Sequence, residues 1–374
     1  MNWNYKQPVE IHFGTGILFG MKELTAKAGY SRGLLVTSPS FVKRGIVDRL
    51  SAFCEGRICA VFDGVMPNPD VVQVDACAAL ARNEKCDFII ALGGGSVLDC
   101  AKVVSVLALC EKSASDFVGK TVGIPLEHLP LIAVPTTAGT GSEVTSVAVI
   151  SDHARGVKVP LAADSFFPAM AIVDPELTYS ASPYLTACCG VDALCHAIEA
   201  YWSRHHQPVC DALAVKAVKM LLANIEDAVY TDYNKTARNN MSEASLIAGL
   251  AFAIPKTSSA HACSYPLTNL LGIPHGEACG LTIDHWIRFN YSHGDRRIIE
   301  LAEALGFSSP DELADRIGEI KKYTGLRTTL ADMKLSDAKL QELIEGCKHP
   351  NMLNNPVKVE DSDIAALMTA LAHG

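Results

Sequence analysis

The sequence predicts two domains, an α/β domain with a parallel sheet followed by an all-helical domain. The chain has 374 residues, more than one small hydrophobic core usually organises. In the first half, short apolar β-branched runs alternate with amphipathic stretches, which is typical of strands joined by crossover helices. After about residue 180 this alternation ends and apolar residues recur at helical spacing.

Four strands and three helices are predicted in the first half, and nine helices in the second. The strands are Gly33–Thr37, Ile58–Phe62, 88–92 and Leu131–Pro135, and the first helices are 40–53, 69–83 and 96–109. The later helices are 183–202, 208–229, 235–252, 257–271, 276–290, 296–306, 310–323, 336–347 and 361–372. We therefore expect an α/β domain over 1–178 and a helical domain over 179–374.

Composition argues against several classes of protein. The chain is 49% hydrophobic and 20% charged, with a formal net charge of −9, so nucleic acid and anionic membranes are unexpected partners. No apolar run approaches the roughly 18 residues of a membrane span. The thirteen cysteines are an odd number and lie mostly within apolar segments, which favours reduced thiols in a cytoplasmic protein.

Two glycine-containing segments follow predicted strands and suit a bound nucleotide. The first, Gly93-Gly94-Gly95-Ser96, joins a strand to a helix, where free backbone N–H groups and the helix dipole attract an anion. The alternative is a tight turn with Ser96 as helix N-cap. The second, residues 135–143, combines small hydroxyl residues with glycines, which gives many hydrogen-bond donors and little bulk.

A carboxylate and three imidazoles in the second half could form a metal site. Asp192 and His196 are four residues apart in a predicted helix, so they share one face. His261 and His275 lie among small or apolar residues. One aspartate and three histidines suit Fe²⁺ or Zn²⁺. A structural Asp–His hydrogen bond and ordinary core histidines are the alternatives.

The chain resembles the iron-containing, group III alcohol dehydrogenases in five motifs that occur in order. They are Gly93-Gly94-Gly95-Ser96-x-x-Asp99-x-Ala101-Lys102, residues 135–143, Asp174-Pro175, Gly190-x-Asp192-x-x-x-His196-x-x-Glu199 and Pro274-His275-Gly276. The resemblance implies an NAD(P)-binding α/β domain, an all-α metal domain, an architecture shared with dehydroquinate synthase, and a homodimer. It also implies that Asp192, His196, His261 and His275 bind Fe²⁺ or Zn²⁺.

The resemblance further implies the cofactor contacts. Gly94, Gly95 and Ser96 would hold the pyrophosphate. Thr136, Thr137 and Thr140 would line the nicotinamide side, and Lys158 would contact a nicotinamide ribose hydroxyl. Asp99 would help shape the glycine turn. Family members that prefer NAD often have an acid after the first strand. Ser38 stands at that place, so both NAD(H) and NADP(H) are expected.

The implied reaction is hydride transfer between a nicotinamide and an aldehyde or alcohol. Many members have a histidine four residues after the third ligand, where this chain has Tyr265. We expect Tyr265 to act in proton relay, and because the ordinary pKa of a phenol is about 10, a relay through ribose hydroxyls or water is the alternative. Lys256, with nearby hydroxyls, suits an anionic aldehyde such as sulfoacetaldehyde or phosphonoacetaldehyde. A solvated lysine at the start of a helix is the alternative for Lys256. The alternatives are neutral aldehydes (lactaldehyde, 1,3-propanediol or butanol type), a dehydroquinate-synthase-like lyase, and a non-catalytic subunit.

Overall fold

The structure is a computed structural model that describes residues 2–230 and 234–374. Met1 and residues 231–233, which the predicted domain ranges include, lie outside the described residues. The chain divides into two compact units. We call them the sheet unit (Lys6–Thr137 and Gly141–Thr178) and the helical unit (Met1–Tyr5, Ala138–Thr140 and Tyr179–Gly374).

The sheet unit is built on six parallel strands in the order β1-β8-β5-β4-β2-β3. The strands of the unit are β1 Glu10–Phe13, β2 Gly33–Thr37, β3 Ile58–Phe62, β4 Phe88–Gly93, β5 Leu131–Pro135, β6 Val147–Asp152, β7 Val157–Ala162 and β8 Met170–Val173. Every residue of β2, β4, β5 and β8 is buried, as expected where helices cover both faces of a parallel sheet. The predicted parallel sheet is confirmed.

Four strands were not predicted from the sequence. The first, β1, has only four residues, all exposed or partly exposed, and β8 is equally short. The other two, β6 and β7, form an antiparallel hairpin apart from the main sheet. The four-residue length of β1 and β8 gives little periodicity, which explains why these two were missed.

Six helices belong to the sheet unit. They are α1 Met21–Lys27, α2 Pro39–Lys43, α3 Ile46–Phe53, α4 Val71–Asn83, α5 Gly95–Leu107 and α6 Ala114–Val118. The single helix predicted over 40–53 is wrong, because Gly45 adopts a left-handed conformation with φ of 69° and separates α2 from α3. In α5 ten of thirteen residues are buried, which places this helix at the centre of the unit.

The helical unit confirms the all-helical prediction, since its described residues contain no strand. Its helices are α7 Pro183–Trp202, α8 Pro208–Tyr230, α9 Lys235–Phe252, α10 Ser259–Leu271, α11 His275–Ser292, α12 Arg296–Leu305, α13 Pro310–Tyr323, α14 Asp337–Gly346 and α15 Asp361–His373. The most buried of these is α7, with sixteen of twenty residues out of solvent. Within the described ranges, every helix is too short or too polar to cross a membrane.

Candidate active site

Helix α7 places three polar side chains on one buried face. Asp192, His196 and Glu199 are four and seven residues apart, so they lie on the same side of the helix. They are 3%, 6% and 0% exposed. Buried charges need partners, and these three side chains find theirs on α10 and α11.

Glycines bring α11 against α7. A β-carbon at Gly276 would collide with the carbonyl oxygen of Cys188, and one at Gly280 would collide with Val191. The close approach puts His275, the first residue of α11, beside α7. The His275 Nε2 atom lies 3.9 Å from Asp192 Oδ1. The Pro-His-Gly motif therefore has a steric reason for its glycine.

Glu199 fixes the start of α10 and the orientation of His261. Its Oε1 accepts hydrogen bonds from the backbone N–H of Ala260 at 2.7 Å and from Ser258 Oγ at 3.0 Å. Its Oε2 accepts a hydrogen bond from His261 Nδ1. With its proton on Nδ1, His261 keeps a lone pair on Nε2. Glu199 has no role in the sequence-based site, although its spacing of seven residues from Asp192 could have revealed one.

Three of the four predicted ligands, Asp192, His261 and His275, belong to one group of possible metal ligands, and His196 lies beside that group. His261 Nε2 lies 3.0 Å from His196 Nε2 and 3.7 Å from Asp192 Oδ1. Among the described residues, Asp192 Oδ1 and His196 Nδ1 are buried side-chain atoms without a hydrogen-bond partner. Buried carboxylate and imidazole atoms this close together need a positive charge among them, either a proton on an imidazole or a metal ion. The donor set therefore fits a divalent metal.

A cysteine belongs to the same group of side chains. One ligand atom each from Asp192, His261, His275 and Cys279 lies within 4.8 Å of the others. From the sequence, Cys279 is one of the cysteines in apolar segments that are expected to be reduced thiols. Its position four residues after His275, on one face of α11, is the signal that could have identified it.

The electrostatics of the group depend on burial and on neighbouring charge. Burial lowers the pKa of His196 to about 4, against the attraction of Asp192, so its imidazole is neutral at pH 7. Burial would raise the pKa of Asp192, but His196, His261 and His275 outweigh it and lower that pKa. Burial likewise opposes ionisation of Cys279, and His261 and His275 lower the pKa of its thiol.

The two residues predicted to act on the substrate lie around α10. Tyr265 stacks on His349, with ring centroids 4.3 Å apart and planes at 27°. Lys256 lies in the segment between α9 and α10 with φ of 67°, and its ammonium donates a hydrogen bond to the Ala253 carbonyl at 2.8 Å.

In the sheet unit, predicted cofactor residues follow adjacent strands. Ser38 follows β2, Gly94 follows β4 and Thr136 follows β5. These strands are neighbours in register, with Gly93 opposite Pro135, so their carboxyl ends share one edge. The chain order reverses between β2 and β4, which is where such sheets bind nucleotides. A β-carbon at Gly94 would lie 3.3 Å from Thr137 Oγ1, so the two turns touch.

Hydrogen bonds connect further predicted cofactor residues. Lys158 Nζ donates to Asn68 Oδ1 at 2.9 Å, and the Asn68 N–H donates to Ser96 Oγ at 3.2 Å. Lys158 is thereby linked to the first turn of α5, where Gly95 is the first residue. Ser96 is inside this helix, and the N-cap is Gly94. Thr140 belongs to the helical unit.

Asp99 supports a different segment from the one expected. Its Oδ1 accepts a hydrogen bond from Ser142 Oγ at 2.8 Å, and its Oδ2 accepts one from the Val149 N–H at 2.9 Å. Lys102 Nζ donates to the same Ser142 Oγ at 2.7 Å. These bonds run to Ser142, inside the hydroxyl-rich segment 135–143, and to Val149 in β6, so Asp99 braces the end of that segment against β6.

Known proteins match the chain along almost its whole length. The model of the iron-containing alcohol dehydrogenases matches residues 8–175, and that of the C-terminal part of the same family matches 186–372. A crystal structure of sulfoacetaldehyde reductase from Bifidobacterium kashiwanohense, in complex with NAD⁺, has a TM-score of 0.97 and 46% identity, covering 100% of this chain and 99% of that one.

Other relatives have different printed activities. The 1,3-propanediol dehydrogenase of Klebsiella pneumoniae is 34% identical, over 98% of this chain and 97% of its own length. Long-chain-alcohol dehydrogenase 1 of Geobacillus thermodenitrificans is also 34% identical, over 97% of this chain and 95% of its own. These names span short and long alcohols, so similarity alone leaves the substrate open.

Proposed function

The chain belongs to the iron-containing alcohol dehydrogenase family, and from that premise we propose that it reduces a small anionic aldehyde to the alcohol. It is an NAD(P)-dependent oxidoreductase acting on CH–OH groups. The substrate class, sulfoacetaldehyde or phosphonoacetaldehyde, is supported by the full-length similarity to the sulfoacetaldehyde reductase.

The proposed metal ligands are Asp192, His196, His261 and His275, and the metal is Fe²⁺ or Zn²⁺. Support comes from the convergence of their ligand atoms and from the buried, unpaired Asp192 Oδ1. The bound metal would polarise a carbonyl oxygen, and the reduced nicotinamide would supply the hydride. The chain keeps the ligands oriented. Glu199 holds His261, and Ser264 Oγ, 3.2 Å from His275 Nδ1, holds His275.

The proposed cofactor site is the carboxyl edge of the sheet in residues 1–178. The backbone of Gly94 and Gly95 would face the pyrophosphate at the start of α5, where a helix dipole attracts anions. Ser96 and Lys158, linked through Asn68, would add a hydroxyl and a positive charge. The remaining proposed contacts are Ser38, Thr136, Thr137 and Thr140, with Asp99 as a brace. Since Ser38 carries no charge, both NAD(H) and NADP(H) are proposed.

The proposed substrate contacts come from residues 179–374. Tyr265 lies one helical turn after His261 on α10, and its stacking on His349 restricts the ring, which suits a group that passes a proton. Lys256 precedes the same helix, and its charge would attract a sulfonate or phosphonate tail. We also propose a homodimer, and a cytoplasmic location on the basis of thirteen free cysteines.

Rates of NAD(P)H oxidation with four aldehydes test the substrate class. Sulfoacetaldehyde and phosphonoacetaldehyde should give much higher kcat/KM than lactaldehyde and propanal. In Lys256→Ala, kcat/KM for the anionic aldehydes should fall by about 10–100-fold, the equivalent of one charged hydrogen bond, while the neutral ones change little. Lys334→Ala is the control, because Lys334 also has a positive φ, of 46°, in the helical unit.

The second candidate is reduction of a neutral aldehyde, which the similarity to 1,3-propanediol dehydrogenase supports. Equal rates on anionic and neutral aldehydes, or an unchanged Lys256→Ala enzyme, would favour it. A dehydroquinate-synthase-like lyase regenerates its cofactor, so steady net consumption of NAD(P)H also separates that alternative from both reductases.

A further inference from the structure

A cysteine thiol lies among the proposed metal ligands. Cys279 is fully buried and stands one helical turn after His275 on α11, so both side chains project from the same face. Its Sγ is 3.8 Å from His275 Nε2. Together with atoms of Asp192 and His261, these two form a set whose members all lie within 4.8 Å of one another.

The spacing is that of two ligands of one metal. With metal–nitrogen bonds of about 2.0–2.1 Å and metal–sulfur bonds of about 2.3 Å, ligand nitrogen and sulfur atoms at a tetrahedral centre are roughly 3.6 Å apart. The observed 3.8 Å between Cys279 Sγ and His275 Nε2 is close to that value. Two ligands four residues apart on one helix face are a common way to hold a metal.

Other cysteines near the site have different surroundings. Cys263 follows His261 by two residues and is also fully buried, but its thiol contacts that of Cys347. Cys279 is the cysteine in the group of possible ligands found among the described residues. Cys279 also packs in the hydrophobic core of the helical unit, and its membership of the ligand group is what distinguishes it from Cys263.

We propose that Cys279 binds the same metal as Asp192, His261 and His275, through a thiolate. The inference rests on the proposed function, since it needs the metal. A thiolate and a carboxylate together balance the charge of a divalent ion, and a soft sulfur ligand favours zinc over harder ions such as Mg²⁺. His196, a ligand in the proposed function, lies beside this group with its Nε2 atom 3.0 Å from His261 Nε2.

Cobalt substitution tests the proposal without an activity assay. The full chain is stripped with a chelator and reloaded with Co²⁺, bound metal is measured by atomic emission, and the absorption spectrum is recorded. The wild-type protein should show the intense near-ultraviolet band of a cobalt–thiolate bond. Cys279→Ser should lose the band while still binding Co²⁺, and Cys263→Ser, the matched control, should keep it.

X-ray absorption at the zinc edge gives a second measurement that needs no variant. The wild-type zinc protein should show a sulfur neighbour at about 2.3 Å in addition to nitrogen and oxygen at about 2.0–2.2 Å. Bound metal with only nitrogen and oxygen neighbours, or a cobalt band that persists in Cys279→Ser, overturns the inference and leaves the proposed function intact. A wild-type protein that binds no metal overturns both.

Discussion

Replacing Glu199 with glutamine should weaken metal binding although Glu199 is not a proposed ligand. In the metal-bound wild type, Glu199 Oε2 would accept the Nδ1 proton of His261, so that Nε2 can offer its lone pair to the metal. The side-chain oxygen of a glutamine could still accept a hydrogen bond from the Ala260 N–H. Its NH₂ group would then face the Nδ1–H of His261, and two donors cannot bond to each other. His261 would have to move its proton to Nε2, the atom 3.0 Å from His196 Nε2, and would lose the lone pair that binds metal.

The size of the effect follows from the role of such hydrogen bonds. Removing the hydrogen-bond partner of a ligating histidine typically costs 10–100-fold in metal affinity, which corresponds to about 1.4–2.7 kcal/mol. The metal-free protein should lose less stability than this, because the glutamine oxygen still accepts a hydrogen bond from the backbone N–H at the start of α10. Glu199→Ala is a harsher change, since Ser258 Oγ and the Ala260 N–H would lose a buried acceptor at about 1–3 kcal/mol each.

Competition with a chromophoric chelator at fixed pH measures the Zn²⁺ affinity, and thermal melting of the metal-free protein measures its stability. Glu277→Gln is the matched control. Glu277 is buried and lies two residues after His275, but it accepts hydrogen bonds from Tyr184 Oη and the Arg327 N–H. If Glu199→Gln binds Zn²⁺ as tightly as the wild type, or if Glu277→Gln loses as much affinity, the orienting role of Glu199 is refuted.

Two further predictions concern packing and pH. Gly276→Ala should push α11 away from α7 through the clash with the Cys188 carbonyl, and should lower both Zn²⁺ affinity and Tm. In Gly318→Ala the new β-carbon has only one neighbour, at 3.9 Å, so Tm should rise with the better helix propensity of alanine, about 0.5–1 kcal/mol; a loss of Tm in both variants would contradict the steric argument. Burial raises the pKa of Glu143 from its ordinary value near 4.5 to about 7, against a weaker lowering by Lys102. The folded state thus binds a proton that the unfolded state releases, and stability is lost as pH rises from about 4.5 to 7. Glutamine does not ionise, so the free energy of unfolding of Glu143→Gln, measured with urea, should exceed that of the wild type by about 3 kcal/mol at pH 8, at about 1.36 kcal/mol per pKa unit. At pH 5 the difference should be small. An equal gain at both pH values would rule out the ionisation as its cause.

Strand prediction gave the correct bounds for β3 although none of its residues is fully buried, and it missed β8 although all of its residues are buried. The bounds of β2 and β5 agree with the sequence prediction because these strands are continuous apolar runs between turn residues. It failed for β1, whose residues are exposed or partly exposed. Helix prediction failed over 40–53, where the positive φ of Gly45 interrupts an otherwise helical pattern. In the main sheet the missed strands, β1 and β8, have only four residues each, and a run that short shows little pattern.

The site was predictable in part. The spacing of Asp192 and His196 on one helix could be read from the sequence. Their approach to His261 and His275 depends on tertiary packing, which the five ordered motifs supplied only through resemblance. The structure brings the four side chains together, while their binding of metal stays a prediction. Residue type alone gave no reason to separate Cys279 from the other buried cysteines, since its distinguishing feature is the face of α11 that it shares with His275.

Charge balance connects these residues into one argument. The carboxylates of Asp192 and Glu199 are almost fully buried, and His196 is neutral because burial lowers its pKa to about 4. Without a metal, compensation falls to the other imidazoles. Burial would lower the pKa of His261, but Cys279 and Glu199 raise it well above its ordinary value. Imidazolium protons and a divalent cation thus compensate the same negative charges. A histidine must lose the proton on Nε2 before that atom can bind metal, so metal binding releases protons. Acid restores these protons and therefore weakens metal binding.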